Sequence, residues 1–257
     1  MKTLFGDLDE LAIERIRMFA PPEGYWVAFS GGKDSVVLLD LVKRAGVAYE
    51  AHMAMIPPLD PPPLVRFVRE QYPEVTMDWP AKPFFEVMKR QGYPTRSIRW
   101  CCREFKERGG SGRLVLTGIR WEESLRRSKR RMVEGCSTKG KRLLHPIIDW
   151  STTDVWHYIR ARGIPYCSLY DEGFRRIGCV GCPMVRDDVA LARWPHIREA
   201  WRRAFAWLYE NAAAHPKPSI NDLPTRWSSA DALFAAWLER DRSLVGDVDD
   251  AECMLFV

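Results

Sequence analysis

The chain reads as an α/β protein: a mostly parallel sheet with helices on both faces, followed by a C-terminal helical extension. Three observations predict this. Short apolar runs bounded by Gly and Pro alternate with segments of helical period from residue 25 to residue 119, as in repeated strand–helix–strand units. A glycine-rich hexapeptide, Ser30-Gly31-Gly32-Lys33-Asp34-Ser35, stands between one such run and a helical one. Beyond about residue 187 the strand signals stop, and helical segments rich in Trp, Ala and Arg follow. The expected division is therefore residues 1–186 for an α/β domain carrying paired cysteines, and 187–257 for a helical extension and tail.

The elements follow in order. Residues 8–19 place Leu8, Leu11, Ala12, Ile16 and Phe19 on one helical side, and Pro21-Pro22-Glu23-Gly24 stops that helix. Residues 25–29 form the first strand and Val36 to Lys43 the helix after the glycine turn. Residues 47–56 read as the second strand, Pro57 to Pro63 as a rigid break, Leu64 to Gln71 as a helix, and 75–79 as the third strand. A helix over 84–91 and a compact buried strand over 114–119 complete the sheet signals. Two helices, 190–211 and 230–241, form the extension, with Trp194, Trp201, Trp207 and Trp237 as packing residues.

Strand, glycine turn and helix start make a geometry that binds phosphate. Gly31 and Gly32 let the backbone approach an anion, free N–H groups at the helix start point at it, and the helix dipole favours its charge. Ser30 and Ser35 add hydroxyls and Lys33 a cation. Asp34 is a candidate metal ligand or a first-turn carboxylate that complements the dipole. The spacing is not that of a Walker loop. In such sheets ligands sit at the carboxyl ends of the strands, which is where this loop falls. Arg120, just past the strand over 114–119, is expected to face the same pocket.

Composition limits the alternatives. The net charge of +5 permits an anionic ligand without demanding nucleic acid. Basic residues crowd one segment: Arg120, Arg126, Arg127, Lys129, Arg130 and Arg131, then Lys139, Lys141 and Arg142. Such a run is either a solvated face or a phosphate- or nucleic-acid-binding loop. No apolar run approaches the roughly 20 residues needed to span a bilayer, and the first residues lack a signal-peptide core. A cytoplasmic protein with no membrane partner is expected. Seven cysteines, an odd number, argue against a disulfide framework and for metal or thiol chemistry.

Four of those cysteines are paired: Cys101-Cys102 and, after 76 intervening residues, Cys179-Val180-Gly181-Cys182. Four thiolates can hold zinc or an iron–sulfur cluster. Adjacent cysteines strain a tetrahedral zinc knuckle and suit a cluster, in which neighbouring thiolates bind different irons. Arg99, Arg103 and Lys106 would offset the charge. Cys136 and Cys167 have no cysteine partner at metal spacing and read as ordinary residues.

The combination of motifs resembles the phosphoadenosine-phosphosulfate (PAPS) reductase family of the PP-loop ATP-pyrophosphatase superfamily. The resemblance rests on Ser30–Ser35, Cys101-Cys102-Arg103-Glu104-Phe105-Lys106, Thr117-Gly118-Ile119-Arg120 with Glu123-Ser124 and Arg127, His145 to Trp150 with Asp154-Val155-Trp156, and Leu169 to Gly173 leading to Ile177-Gly178-Cys179. It covers roughly residues 20–185. It implies an adenine nucleotide alpha hydrolase-like fold and a 4Fe–4S cluster on Cys101, Cys102, Cys179 and Cys182. It also implies ATP or another adenine nucleotide on Ser30 to Ser35, Arg120 and Arg127, with Lys33, Asp34 and Arg120 catalytic and Mg²⁺ as a candidate ion.

The sequence departs from the assimilatory reductases twice. Their L-D-T-G segment is replaced by Pro58-Leu59-Asp60-Pro61-Pro62-Pro63. Their E-C-G-L-H-like tail, whose cysteine attacks sulfur, is matched only by Glu252-Cys253. Acidic neighbours Asp249, Asp250 and Glu252 should raise the Cys253 thiol pKa. The resemblance then points to relatives in mobile elements, DNA phosphorothioation and CRISPR-associated loci, which would use ATP in sulfur or nucleic-acid modification. Two alternatives stay open: a sulfonucleotide reductase with Cys253 as nucleophile, and a non-catalytic nucleotide-binding accessory to a protein or nucleic-acid partner.

Overall fold

The computed structural model describes residues 2–3, 6–136, 140–185 and 189–239. A short antiparallel pair, β1 (Lys2–Thr3) and β2 (Gly6–Asp7), precedes helix α1 (Leu8–Met18). Then come β3 (Tyr25–Ala28), α2 (Lys33–Ala45), β4 (Tyr49–Ala54), α3 (Pro62–Gln71), β5 (Thr76–Asp78) and α4 (Phe84–Gln91). Strands β6 (Leu114–Leu116), β7 (Val133–Cys136) and β8 (Lys141–Leu144) lead to α5 (Thr152–Arg162). The extension holds α6 (Val189–Arg193), α7 (Pro195–Glu210), α8 (Pro218–Asn221), α9 (Leu223–Arg226) and α10 (Ala230–Leu238).

The main sheet has six strands in the order β5-β4-β3-β6-β8-β7, all parallel except the β7 edge. The chain leaves β3 towards β4 and β5, then crosses back to β6 and β8. The direction of winding therefore reverses between β3 and β6, and the crevice beyond their carboxyl ends is where such sheets bind ligands. Helix α2 is almost wholly buried. Val36, Val37, Leu38, Leu39, Leu41 and Val42 are each no more than 1% exposed, so packing under α1 and α5 overrides the modest helix propensity of β-branched residues.

The sequence reading located strands β3 to β6 and helices α2, α3 and α4, and missed the parallel strand β8 as well as elements outside that set. The β7–β8 hairpin lies in the basic segment, where charges mask the strand alternation. Helix α5 was not anticipated, although Ser151 and Asp154 form a reciprocal capping box there. The long helix expected over 190–211 breaks at Trp194, because Pro195 starts a new helix as its first residue. Trp201, Phe205 and Trp237 of the extension join the same buried core as Phe84 and Trp100. No described helix is long and apolar enough to cross a membrane.

Candidate functional site

The phosphate loop leaves β3 at the winding reversal. Gly31 adopts φ +70°, and a Cβ there would meet Leu64 Cδ1 at 2.6 Å, so only glycine lets α3 pack this closely under the turn. Ser35 Oγ donates to the Gly32 carbonyl at 2.8 Å and Ser30 Oγ donates to Ser35 Oγ at 3.2 Å, tying the loop to the first turn of α2. The backbone N–H of Lys33 points out of the helix start and donates to the Tyr170 hydroxyl at 2.9 Å. Tyr170 thus lies over the amide that a phosphate oxygen would use.

The charged groups beneath the loop are mutually engaged. Lys33 is buried, with Nζ 2.8 Å from Asp34 Oδ2. Arg120 is 1% exposed. Its Nε donates to Asp34 Oδ1 at 2.7 Å, and its other nitrogens donate to Glu122, Trp150 O and Thr152 Oγ1 at 3.1 to 3.2 Å. Arg120 therefore reaches the loop through Asp34 and acts as a strut between β6, α2 and α5. Asp34 has one oxygen on each of two cations. Arg127 is also buried and pairs with Glu123. Burial pushes the Arg127 pKa down, and nearby Arg176 adds to that, while Glu123 and Asp34 oppose it. Arg176 and Tyr170 are the residues that sequence reasoning left without a role. Arg176 was visible as half of a dibasic pair before Ile177-Gly178-Cys179. Nothing local marks Tyr170, because its partner is 137 residues away.

The basic segment divides in two. Arg127, Arg130 and Lys141 are held internally: Arg130 pairs with Glu134, and Lys141 Nζ donates to the Glu107 carbonyl at 2.6 Å. Arg126, Lys129 and Arg131 are exposed. Lys139 and the side chain of Cys136 lie outside the described residues, as does Cys253 with the whole tail.

The cysteine pairs come from distant segments. Residues Cys102–Lys106 form a π-turn, closed by the Glu107 N–H on the Cys102 carbonyl at 3.0 Å. Such widened turns recur at functional sites. The Cys179–Cys182 turn is pinned from both sides: the Val180 N–H donates to the Leu59 carbonyl at 2.8 Å, and the Trp201 indole donates to the Val180 carbonyl at 3.1 Å. Gly181, at φ +80°, lies so close under Trp201 that a Cβ would be 2.4 Å from its Nε1.

The thiols share one electrostatic environment. A hydrogen bond from Cys101 holds the Cys102 pKa well below its ordinary value, with help from Lys106 and Arg99, whose Nη2 is 3.3 Å from Cys102 Sγ. The same bond, then burial and the charges of Cys102, Cys182 and Cys179, push Cys101 up. Burial likewise raises Cys179, against the pull of Lys106. Burial acts to discharge Lys106, but Cys179, Cys102 and Cys182 outweigh it and keep the ammonium more basic than usual. Among the described residues no group of three or more His, Cys, Asp or Glu side chains is arranged to hold a single metal ion. The four thiols share their surroundings with two cations, the buried Arg99 and the partly buried Lys106.

Comparison with known proteins places this geometry. An uncharacterised protein of Methanocaldococcus jannaschii is 30% identical over 214 residues, which are 74% of this chain and 42% of that protein. An adenosine 5′-phosphosulfate reductase of Allochromatium vinosum is 34% identical over 128 residues, 45% of this chain and 50% of the reductase. The match thus spans half or less of either relative's length. A crystal structure of phosphoadenylyl-sulfate reductase from Candida auris aligns with a TM-score of 0.49 at 18% identity, covering 70% of this chain and 96% of that one. The phosphoadenosine phosphosulfate reductase domain matches residues 24–185, which include the phosphate loop, Arg120, Arg127, Tyr170 and all four paired cysteines, and the chain belongs to that family.

Proposed function

We propose that the protein binds ATP at the Ser30–Ser35 loop and acts at its α-phosphate, in the modification of a sulfur- or nucleic-acid-related acceptor. The observation that carries this reading is the Lys33 N–H, aimed out of the start of α2 at the winding reversal beside a buried ammonium. A helix start of this kind stabilises phosphate charge where it develops. Attack by an acceptor oxygen forms an O–Pα bond, the Pα–O–Pβ bond breaks, and pyrophosphate leaves. Lys33 and the loop amides stabilise the negative charge. Asp34 positions Lys33, and Arg120 positions Asp34.

Cys101, Cys102, Cys179 and Cys182 would hold a 4Fe–4S cluster, with Lys106 and Arg99 offsetting its charge. Such a cluster supplies one-electron transfer or a sulfur-binding iron.

The likeness to an adenosine 5′-phosphosulfate reductase favours a second reading. There the loop holds a sulfonucleotide: the Cys253 thiolate would attack its sulfur to form an S–S bond, the S–O bond to the phosphate would break, and the adenosine monophosphate would leave, with the sulfonate kept on Cys253. One comparison separates the two: incubation of anaerobically purified protein with ATP, adenylylsulfate or its 3′-phosphorylated form, followed by product analysis and intact mass. The first reading expects pyrophosphate from ATP and no adduct. Sulfite that is released by thioredoxin, and lost in Cys253→Ser, establishes the second. Binding of ATP with no product from any of the three leaves the protein a nucleotide-binding accessory.

A further inference from the structure

We propose that the groove between α3 and the start of α7 binds a single-stranded nucleic acid. It lies on the side of α3 away from the phosphate loop. Leu64 and Val68 face Gly31, whereas Val65, Arg66 and Arg69 line the groove. The cavity measures about 680 Å³, within the range of sites that hold an organic ligand. Met55, Pro58, Trp79 and His196 are also in its lining.

Three features set the chemistry. Trp79 is 58% exposed, a large aromatic face held at the end of β5 with nothing stacked on it among the described residues. A base stacks on such a face whatever its identity. Arg66 and Arg69 are exposed and stand one turn apart on α3, and neither has a hydrogen bond or ion pair among the described residues. His196 lies in the first turn of α7, a helix of 16 residues, whose dipole adds positive potential there. Glu70 at the rim is the opposing charge. Asp60, also in the lining, is turned inward: it accepts from the Ile56 N–H and faces Lys106.

Two arginines on α3, the positive end of the α7 dipole and an exposed aromatic face suit a chain of phosphates with an unstacked base, more than one free nucleotide. The location gives such a strand a purpose. The turn that lines the groove carries Leu59, whose carbonyl pins the Cys179–Cys182 turn. A bound strand would lie beside the cysteine site. This inference does not rest on ATP turnover.

The test is fluorescence anisotropy with 5′-fluorescein dT10 and U10, using the full chain purified anaerobically and no ATP, so failure of the phosphate-loop reading leaves the result unchanged. Binding should weaken from 50 to 200 mM salt. Trp79→Ala should cost about 5- to 100-fold in affinity, with Trp79→Phe recovering most of it. Arg66→Ala/Arg69→Ala should lower the log–log salt slope by roughly 1.4, as two lost phosphate contacts on a single strand require. Circular dichroism confirms that each variant is folded. The proposal falls if neither oligonucleotide binds, or if folded Trp79→Ala binds as wild type. It also falls if TMP or UMP competes as well as the oligonucleotide, or if only Arg126→Ala/Lys129→Ala abolishes binding.

Discussion

The phosphate loop and the cysteine site sit on one sheet, but they are built in opposite ways. The loop is a local structure. Ser30, Gly32 and Ser35 bond one another within six residues, and the charges beneath them are paired in the chain Lys33–Asp34–Arg120. The cysteine site is assembled from residues 59–60, 99–106, 179–182 and Trp201, and its charge is concentrated on buried and half-buried thiols beside Lys106 and Arg99. A preassembled loop loses affinity when altered and keeps its stability. A site gathered from distant segments around buried charge should lose stability first.

The largest effect should therefore come from the cysteine side. Cys102→Ser and Cys179→Ser should each abolish iron binding in anaerobically purified protein. The thermal midpoint should fall by roughly 10 °C or more, because metal binding at such a site is coupled to folding. Lys106→Met should cost about 3–5 kcal/mol, the penalty for leaving buried opposite charge unpaired. Chemical denaturation measures it. Variants as stable as wild type would erase the contrast between the two regions.

Changes in the loop should show the reverse pattern. Gly32→Val introduces atoms beside Ser30 Oγ and the Tyr170 hydroxyl, each 3.4 Å from its Cβ. It should block nucleotide binding and change stability by about 1 kcal/mol or less. Lys33→Ala should weaken ATP binding by roughly 10- to 100-fold, the worth of a charge-assisted contact of about 1.5–3 kcal/mol. AMP should lose less, since it lacks the distal phosphates. Isothermal titration with both ligands decides this, and equal losses would remove Lys33 from the distal phosphates.

A third region tests whether a buried titratable group alone is enough to create fragility. His145 is fully buried at the end of β8, with Nδ1 2.6 Å from Thr117 Oγ1. Burial, reinforced by Arg130, pushes its pKa down to about 4. The unfolded chain takes up a proton near pH 6.5 and the folded one does not. Stability is thus complete above that value and falls as the pH drops from about 6.5 to about 4, by on the order of 3 kcal/mol. Denaturant midpoints measured at pH 7.5 and 4.5 should differ by less in His145→Gln than in wild type.

What the sequence disclosed follows the same division. The Ser30–Ser35 loop and the parallel strands β3 to β6 were legible because their signals are contiguous: an apolar run, a glycine pair, a helical run. The cysteine pairs were legible as pairs and Arg99, Arg103 and Lys106 as cations flanking them, but not which of the three acts on the thiols, since the π-turn that carries Arg103 and Lys106 leaves no periodic trace. Arg120 was placed correctly at the end of β6. Its role as a strut depends on Trp150 O and Thr152, contacts more than 30 residues away or close to it. The basic segment looked uniform and is not, because burial of Arg127 and Lys141 is decided by tertiary packing alone.

Tyr170 joins the two regions and carries the smallest and most discriminating prediction. Its hydroxyl accepts from the Lys33 N–H at 2.9 Å, and the same chain segment runs on to Cys179 and Cys182. The ring is held edge-on against Trp156, with centroids 5.0 Å apart. Burial, the largest influence, keeps the hydroxyl protonated well above its ordinary pKa. A phosphate oxygen that takes the Lys33 N–H must displace this hydroxyl. Tyr170→Phe keeps the ring and removes the competitor, leaving a partly buried amide with no acceptor until ligand arrives. The amide's lost hydrogen bond is worth about 0.5–1.5 kcal/mol. ATP should therefore bind roughly two- to tenfold more tightly to Tyr170→Phe, and the ligand-free protein should be less stable by a similar free energy. Weaker binding would mean that the hydroxyl turns and donates to the ligand. It would then belong to the nucleotide site, rather than linking that site to the segment that carries the cysteines.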